Sequence, residues 1–523
     1  MNALMETGLP VINVRDFNAV PDGKNFCTRA IQQAIDKCAS GGGGTVYFPP
    51  GVYLSGTLYL KSHVALYLEA NATLLGGSVK ENYPVRKSKT ETRTNRYNLR
   101  SLIFAEDLEN IAIQGRGTLD GNGGFFKDRR HDGDRPLILR VINCKDVLIE
   151  GITMQNSGFW NQHFLACDRV RMHGVRVWNH ATYNVDAIDI DGCRDFIVSD
   201  CFFDSDDDAV CLKGTSLRPC ERIQITNCTI SSHCNAIKMG TDSSGGFMDI
   251  TISNCSITSP RGSKAIYGFD RGISGISLEL VDGGKMERIA ISNVTIDGVE
   301  VPIFVRLGAR GSGMFPTEAD AKAAYSVGTL RDVSFSNIIA TRAGLTGCPI
   351  SGIPGHEIEN LTLSNVSIRS EGGTGVPPVG VQGRPAPEVP EFHDKYPEGT
   401  MFGKLPAHGL FCRHVRGLSL DNVRIETDKP DGRHALVLDD VQDASIDRLR
   451  CAHEPGGSPL VRLDQCRNIA FRNCDPKGPS FLRVEGSETS GISLIGNDLS
   501  RVTKAADLGD GVATASLKLV GNL

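Results

Sequence analysis

A short alternating motif recurs along most of the chain. It reads apolar, any residue, apolar, polar and then usually Asn or Gly, as in VLIEG, IQITN and LTLSN, which begin at Val147, Ile223 and Leu361. The first such segment begins at Ile111, and most follow one another after roughly 23 to 28 residues. Each is too short to be stable alone, so neighbours must pair in parallel and bury a common interior. The repeat predicts an all-β, single-domain right-handed parallel β-helix.

Two parts of the chain depart from this repeat. Residues 28–39, TRAIQQAIDKCA, have helical spacing, and an amphipathic helix there would cover the open apolar end of a stack of coils. We therefore expect an N-terminal cap with the first coils in residues 1–100, followed by the β-helix in residues 101–523. The segment at about 372–406 is rich in Pro and Gly, and a loop of that length is expected to border a groove.

Asn and Cys residues recur at fixed positions of the repeat. Seven asparagines lie four residues after the start of their segments, where a strand must bend and Asn tolerates left-handed geometry: Asn227, Asn254, Asn293, Asn337, Asn365, Asn422 and Asn473. Nine of the 16 cysteines fall into two further series, Cys144, Cys167, Cys193, Cys220 and Cys466, and Cys201, Cys228, Cys255 and Cys474. We expect these cysteines to stack as small buried side chains rather than to form disulfides or bind metal.

Composition excludes several classes of protein. With 56 basic and 61 acidic residues the net charge is only -5, which favours neither a nucleic-acid nor a membrane partner. No stretch approaches the 18 to 20 apolar residues of a membrane span, and the first twenty residues contain no export signal. No CxxC pair indicates structural zinc. We therefore predict no metal and no cofactor.

A second strand repeats inside the central coils, as AIDID, AVCLK, AIKMG, GISLE and PIFVR. Its inward positions are apolar throughout. Its outward positions carry mainly polar and charged side chains, among them Asp189, Asp191, Lys213, Lys238, Glu279 and Arg306. A face intended only for solvent would rarely collect this mixture, so we predict that it carries the functional site.

The acidic residues next to this strand are in register. Asp186 lies two residues before Ile188, and Asp208 lies two residues before Val210, with Asp207 beside it. Adjacent parallel strands are about 4.8 Å apart, so these carboxylates should be near neighbours on successive coils. Like charges at that distance raise at least one pKa, which gives a proton donor next to an ionised carboxylate. Glycoside hydrolysis requires such a pair.

The segments YNVDAIDIDGC, DSDDDAVCLKG and SSHCNAIKMGTDSSGG resemble glycoside hydrolase family 28, the polygalacturonase and rhamnogalacturonase family, with its motifs NTD, GDD, GHG and RIK. The resemblance implies a right-handed β-helix and catalysis with inversion. NTD falls on Asn184, Val185 and Asp186, and GDD falls on residues 206–208. By this resemblance Asp207 is the general acid, and Asp186 and Asp208 hold and deprotonate the attacking water.

The chain departs from the other two motifs. The histidine of GHG falls on Cys234, with His233 one residue away, and RIK falls on residues 277–279, where Glu279 reverses the local charge. We therefore predict a specificity altered from that of a polygalacturonase. Either the sugar is neutral and Glu279 accepts its hydroxyl hydrogen bonds, or Lys213, Lys238 and Arg306 bind its carboxylate. His163, within SGFWNQHF, also resembles a family position that borders the groove.

The sequence thus predicts a divergent, inverting glycoside hydrolase that acts on a pectin-like polysaccharide or its oligosaccharides and is exo-acting. Two alternatives stay open. One is a β-helical polysaccharide lyase, in which aspartates bind calcium and Lys or Arg abstracts a proton. The other is a non-catalytic glycan-binding β-helix. The resemblance implies a periplasmic or secreted protein, but without a readable signal peptide a cytoplasmic location also stays open, as do the sugar, its linkage and the oligomeric state.

Overall fold

Parallel strands of two to fifteen residues make up most of the structure. The computed structural model describes residues 10–127, 132–260, 267–311, 326–375, 388–453 and 456–523. By their contacts these residues form two compact units. Unit 1 consists mainly of the described residues up to Lys238 together with Ser244–Ile250, and unit 2 of Met239–Ser243 and most of the chain after Thr251. Among the described residues, no helix has the length and apolar character of a membrane span.

The strands are numbered β1 to β40 in chain order. The first 22 lie in unit 1: Val11–Asn13, Asp22–Phe26, Gly44–Phe48, Gly51–Ser55, Leu58–Tyr59, Val64–Leu68, Ala72–Gly76, Ser101–Glu106, Glu109–Gly115, Thr118–Asp120, Leu137–Ile142, Lys145–Glu150, Thr153–Gln155, Gln162–Leu165, Asp168–His173, Arg176–Asn179, Ile188–Asp191, Arg194–Ser199, Phe202–Ser205, Val210–Gly214, Cys220–Thr226 and Thr229–Ser232. Strands β23 and β24 are Asn235–Ser243 and Phe247–Thr258.

Strands β25 to β40 lie in unit 2: Ser274–Leu280, Lys285–Asp297, Val301–Leu307, Thr329–Ala343, Cys348–Ser351, Ile358–Gly372, Ala407–Arg416, Ser419–Lys429, His434–Asp447, Arg450–Cys451, Val461–Asp464, Arg467–Arg472, Gly478–Glu485, Ile492–Ile495, Val502–Leu508 and Leu517–Val520. Short 3-10 helices occupy Val14–Phe17, Lys80–Asn82, Arg93–Arg96, Gly123–Phe126, Asp132–Asp134 and Thr514–Ser516.

The α-helix α1, Thr28–Ser40, lies where the sequence predicts it. Its buried side chains are Ile31, Ala34, Ile35 and Cys38, a spacing that places them on one face. That face packs against β1, β3, β5 and β6 of the first coils. The helix therefore packs against the first strands of unit 1.

Each coil of unit 1 contributes three strands that pair with the equivalent strands of the next coil. Strands β9, β12, β15, β18 and β21 form one series, in which Ile111, Val147, Val170, Phe196 and Ile223 are aligned. Strands β8, β11, β14, β17 and β20 form a second series, and β10, β13, β16, β19 and β22 a third. The register read from the sequence repeat is confirmed.

In unit 2, equivalent strands also pair in register, and many of them are longer. In β26, β28 and β30, Ile289 pairs with Val333 and Val333 with Leu361, as the repeat predicts. All seven predicted asparagines have left-handed backbones, with φ between 51 and 56°. All sixteen cysteines are free and buried. Both predicted ladders are therefore confirmed.

Candidate functional site

The three aspartates selected from the sequence lie just before strands β17 and β20. Asp186 precedes β17, and Asp207 and Asp208 precede β20. The amide of Ala187 donates to the carbonyl of Asp208 at 3.0 Å, which places the two turns on neighbouring coils. The exposed fractions of Asp186, Asp207 and Asp208 are 3, 8 and 3%. The predicted cluster of carboxylates is therefore present, and it is largely removed from water.

Two lysines neutralise this cluster. Lys213 Nζ lies 3.6 Å from Asp186 Oδ2 and 3.3 Å from Asp189 Oδ1. Lys238 Nζ lies 3.1 Å from Asp208 Oδ2. Both lysines come from strands of the cluster itself, β20 and β23, at positions that alternate with buried apolar side chains. Buried charges are tolerated when they are paired in this way.

The pKa values of the clustered carboxyls shift in opposite directions. Burial, together with the charges of Asp189 and Asp207, raises the pKa of Asp186 well above its ordinary value. Burial also raises the pKa of Asp189, to about 7. Burial acts the same way on Asp208, but the nearby ammonium groups of Lys238 and Lys213 outweigh it and lower the pKa of Asp208. The cluster therefore combines two carboxyls whose pKa values are raised with one whose pKa is lowered.

Asn184 links Asp207 to a buried arginine. Its amide donates to Asp207 Oδ2 at 3.5 Å, and its Oδ1 accepts from Arg135 Nη2 at 3.1 Å. The Arg135 guanidinium lies 4.3 and 3.9 Å from the ring centres of Phe159 and Tyr183. Sequence reasoning missed Arg135, because nothing in the repeat relates its segment to the turn that contains Asn184.

His233 belongs to a second group beside Asp207. Its Nδ1 lies 2.9 Å from Asp206 Oδ1, and His180 Nδ1 lies 2.6 Å from the same oxygen. His180 Nε2 lies 3.2 Å from Asp204. Burial would lower the pKa of His180, but its hydrogen bonds to Asp204 and Asp206 raise it to about 9. The imidazolium thus bridges two carboxylates at one edge of the cluster.

His180 was missed by sequence reasoning although a signal was present. Asn179 pairs with Ser205 in β16 and β19, so the next residues, His180 and Asp206, occupy equivalent positions on successive coils. His180, Asp206 and His233 are also side chains of the type that bind transition metals. Their separations of 2.6 and 2.9 Å are hydrogen-bond distances.

His163 is fully buried beneath an N-terminal segment. Its Nε2 lies 3.0 Å from Asp191 Oδ2, and its Nδ1 lies 3.3 Å from the amide of Asn98. Burial lowers the pKa of His163, although the neighbouring Asp191 acts in the opposite direction. Thr215 adds a further hydrogen bond to Asp191. The structure makes His163 a partner of Asp191, and its contact with substrate stays a prediction.

The charged face predicted from the sequence is covered rather than open. Lys213, Lys238, Glu279 and Arg306 are 6, 2, 0 and 1% exposed. In unit 2, Glu279 Oε1 accepts a hydrogen bond from the Ser277 hydroxyl at 2.6 Å. Both explanations offered for the altered specificity, a neutral sugar on Glu279 or a sugar carboxylate on the three cations, need a reachable group, and these four side chains contact other protein groups instead. Their roles as sugar ligands stay predictions.

The described part of the predicted long loop provides the cover in unit 2. Arg306 donates to the carbonyls of Glu391 and Phe392 at 2.7 and 3.2 Å. Phe304, the outward neighbour of Arg306 on β27, packs in a cluster that includes Phe402 and Leu405. Within the predicted loop, residues 388–406 form this cover, whereas residues 376–387 lie outside the described residues.

The fold and the site define a parallel β-helical protein with the residues for acid and base chemistry. The family described as rhamnogalacturonase A/epimerase, pectate lyase-like, matches residues 11–258. The probable polygalacturonase of Vitis vinifera is 27% identical over 432 residues, which cover 76% of this chain and 83% of that protein. The exo-poly-alpha-D-galacturonosidase of Dickeya chrysanthemi is 24% identical over 439 residues, covering 69% of this chain and 72% of that protein.

A solved structure agrees with these sequence relatives. The exopolygalacturonase from Thermotoga maritima superposes with a TM-score of 0.60 at 20% identity, over 82% of this chain and 93% of that chain. The predicted right-handed parallel β-helix is confirmed. In sequence the chain is therefore similar to polygalacturonases, as its motifs predict.

Proposed function

We propose that this protein is a glycoside hydrolase that cleaves a pectin-like polysaccharide or its oligosaccharides. Asp207 protonates the leaving oxygen, and Asp186 and Asp208 hold and deprotonate the attacking water. We further propose exo action and a specificity altered from that of a polygalacturonase, since neither Arg nor Lys stands at the positions of the RIK motif. The names of the sequence relatives support the pectic substrate class.

The register that brings Asp186, Asp207 and Asp208 together in one buried cluster carries this proposal. Hydrolysis requires an acid and a base together, and the lowered pKa of Asp208 favours the ionised carboxylate that a base needs. Lys213 and Lys238 are each paired with a carboxylate. That pairing opposes their use as the proton-abstracting base of a lyase.

Stereochemistry needs its own measurement. One carboxylate oxygen of Asp207 lies within 4.8 Å of one of Asp208. Many inverting glycosidases separate their carboxyl groups by about 6.5 to 9.5 Å, and retaining enzymes by about 5 to 5.5 Å. The resemblance nevertheless implies inversion, and we propose that water attacks beside Asp186 and Asp208 on neighbouring coils. NMR detection of the first anomer formed decides between the two outcomes.

The deciding experiment is incubation with galacturonan, rhamnogalacturonan and neutral-sugar-capped pectic fragments, followed by product analysis. A hydrolase releases reducing ends without the absorbance of an unsaturated uronate. Early accumulation of a single small product indicates exo action, and a ladder of sizes indicates endo action. No product from any of these substrates contradicts the proposal.

Asp207→Asn tests the role of the acid. It removes the proton donor, so turnover should fall by at least about 100-fold while the folded structure is retained. Asp200→Asn is the matched control, because Asp200 is an aspartate of the same region that pairs with His173 rather than with the cluster. Unchanged turnover in Asp207→Asn removes Asp207 from the mechanism.

A further inference from the structure

Three side chains form an exposed strip on strands β16 and β19: Arg176, Trp178 and Phe202. Trp178 and Phe202 are 50 and 45% exposed, although large apolar side chains are usually buried. Arg176 pairs with Phe202 in register, and Trp178 follows two residues later on the same face of β16. We refer to these three residues as the Trp178 strip.

The strip is continuous with the candidate site. The rings of Trp178 and His180 are 4.7 Å apart between their centres. His180 in turn binds Asp206, the residue before Asp207. A ligand that lies on Trp178 is therefore separated from the carboxylate cluster by His180 and Asp206.

Arg176 supplies a reachable positive charge. Its guanidinium lies 4.6 Å from the centre of the Phe202 ring, which holds it across the strand pair. Within the described ranges of the chain, Arg176 forms no ion pair with a carboxylate. Lys213, Lys238 and Arg306 are buried and already bound to protein groups. Arg176 is thus better placed than these three to receive a carboxylate from solution.

We propose that the Trp178 strip is a binding site for one uronate residue of the substrate. The apolar face of the sugar ring packs on the indole of Trp178, and the sugar carboxylate binds the guanidinium of Arg176, which Phe202 orients. Aromatic surface and a charge-assisted hydrogen bond are complementary to the two sides of such a ring. This inference rests on the proposed function for its substrate class, and it moves carboxylate recognition from the covered face to the edge of the site.

Binding is measured by calorimetry with trigalacturonic acid and with its methyl ester, in an Asp207→Asn background that prevents turnover. Intrinsic fluorescence gives a second, local readout, because the chain has two tryptophans and Trp160 is 6% exposed. Trigalacturonic acid should quench or shift the emission of Trp178. That change should be absent in Trp178→Phe.

Substitutions separate the two contacts. Trp178→Ala should weaken binding of both ligands by about 10-fold, whereas Trp178→Phe keeps most of the affinity. Arg176→Ala should weaken binding of trigalacturonic acid by about 10-fold, because its carboxylates are charged. The affinity for the uncharged methyl ester should stay within about 3-fold of the parent. Arg171→Ala, an exposed arginine of β15, is the matched control and should bind like the parent. If either alanine variant loses its circular dichroism signature, Arg176→Gln and Trp178→Leu repeat the test.

The outcomes distinguish this inference from the proposed function. If the wild type hydrolyses pectic substrates but Arg176→Ala and Trp178→Ala bind like the parent, the binding role of the Trp178 strip is contradicted and the proposed function is retained. If affinity depends on the Trp178 strip but the wild type cleaves none of the substrates, the binding role of the strip is retained and the hydrolase function is contradicted. Absence of binding of both trisaccharides to the Asp207→Asn protein contradicts the binding role of the Trp178 strip directly.

Discussion

Two lysines influence the pKa values of the carboxyls in the candidate site. Asp186 and Asp208 occupy equivalent turns and are equally buried, yet their pKa values move in opposite directions. Lys238 Nζ lies 3.1 Å from Asp208 Oδ2. Lys213 lies between Asp186 and Asp189, so its charge is shared. The difference in pKa between two chemically identical groups therefore depends on where the ammonium groups lie.

Lys238→Met should shift the acidic limb of the pH profile. Lys238 lowers the folded-state pKa of Asp208, so the carboxylate stays ionised at lower pH than usual. Without the ammonium group that pKa rises. As the pH is lowered, the base then becomes protonated at a higher pH than in the wild type. The acidic limb of kcat/KM against pH should therefore move upward by about one pH unit.

Lys145→Met provides the control for this pH measurement. Lys145 is an exposed lysine of β12, and its loss should leave the profile unchanged. Circular dichroism confirms that the Lys238 variant, which leaves Asp208 buried without this ion pair, is still folded. An acidic limb that stays in place shows that Asp208 does not titrate in the mechanism.

The central carboxylates could be predicted from sequence, but their surroundings could not. Asp186 and Asp208 precede strands whose register follows from apolar alternation, so their proximity follows from the repeat. Arg135 reaches Asn184 from another coil through an irregular segment, and no periodic pattern predicts that contact. The pKa directions depend on burial and on side-chain positions, which only coordinates provide.

At the scale of elements, stacked asparagines join the bends of successive strands. In unit 2 the amide of Asn337 donates to Asn293 Oδ1 at 2.9 Å, and Asn365 donates to Asn337 Oδ1 at 3.1 Å. Each of these residues has a left-handed backbone, which costs most other residues about 1 to 2 kcal/mol. The ladder combines tolerance of that backbone with a side-chain hydrogen bond between coils.

Substitutions at Asn337 separate these two contributions. Asn337→Gly keeps the left-handed backbone and loses the hydrogen bonds, whereas Asn337→Ala loses the hydrogen bonds and adds backbone strain. We expect Asn337→Ala to lower the free energy of unfolding by about 1 kcal/mol more than Asn337→Gly. Urea denaturation measures both variants against the wild type, and equal losses contradict the backbone argument.

Strands with alternating apolar residues were predictable, whereas the segments that cover them were not. Residues 388–406 pack on β27 through carbonyl groups and a few aromatic rings, a pattern with no period. Asn98 likewise reaches His163 from a segment between strands. For this reason the sequence places the charged face correctly along the strands but misses that it is covered.

At the scale of the molecule, all sixteen cysteines are free and buried, and they occur in both units. Burial raises the pKa of many of these thiols, for example to about 11 at Cys144 and about 12 at Cys348. Buried thiols with high pKa values react slowly, since the thiolate is the reactive form. The cysteines therefore serve as small apolar side chains of the interior.

Thiol titration with Ellman's reagent tests this conclusion for the whole chain. The native protein should react at fewer than about two positions, because the thiols are out of reach of the reagent. After denaturation in guanidinium without reductant, all sixteen thiols should react. Addition of reductant before the same titration is the control, because it can increase the count only if disulfides exist. A denatured count that rises with reductant would show that cysteines pair, and the interior would then be cross-linked rather than held by packing alone.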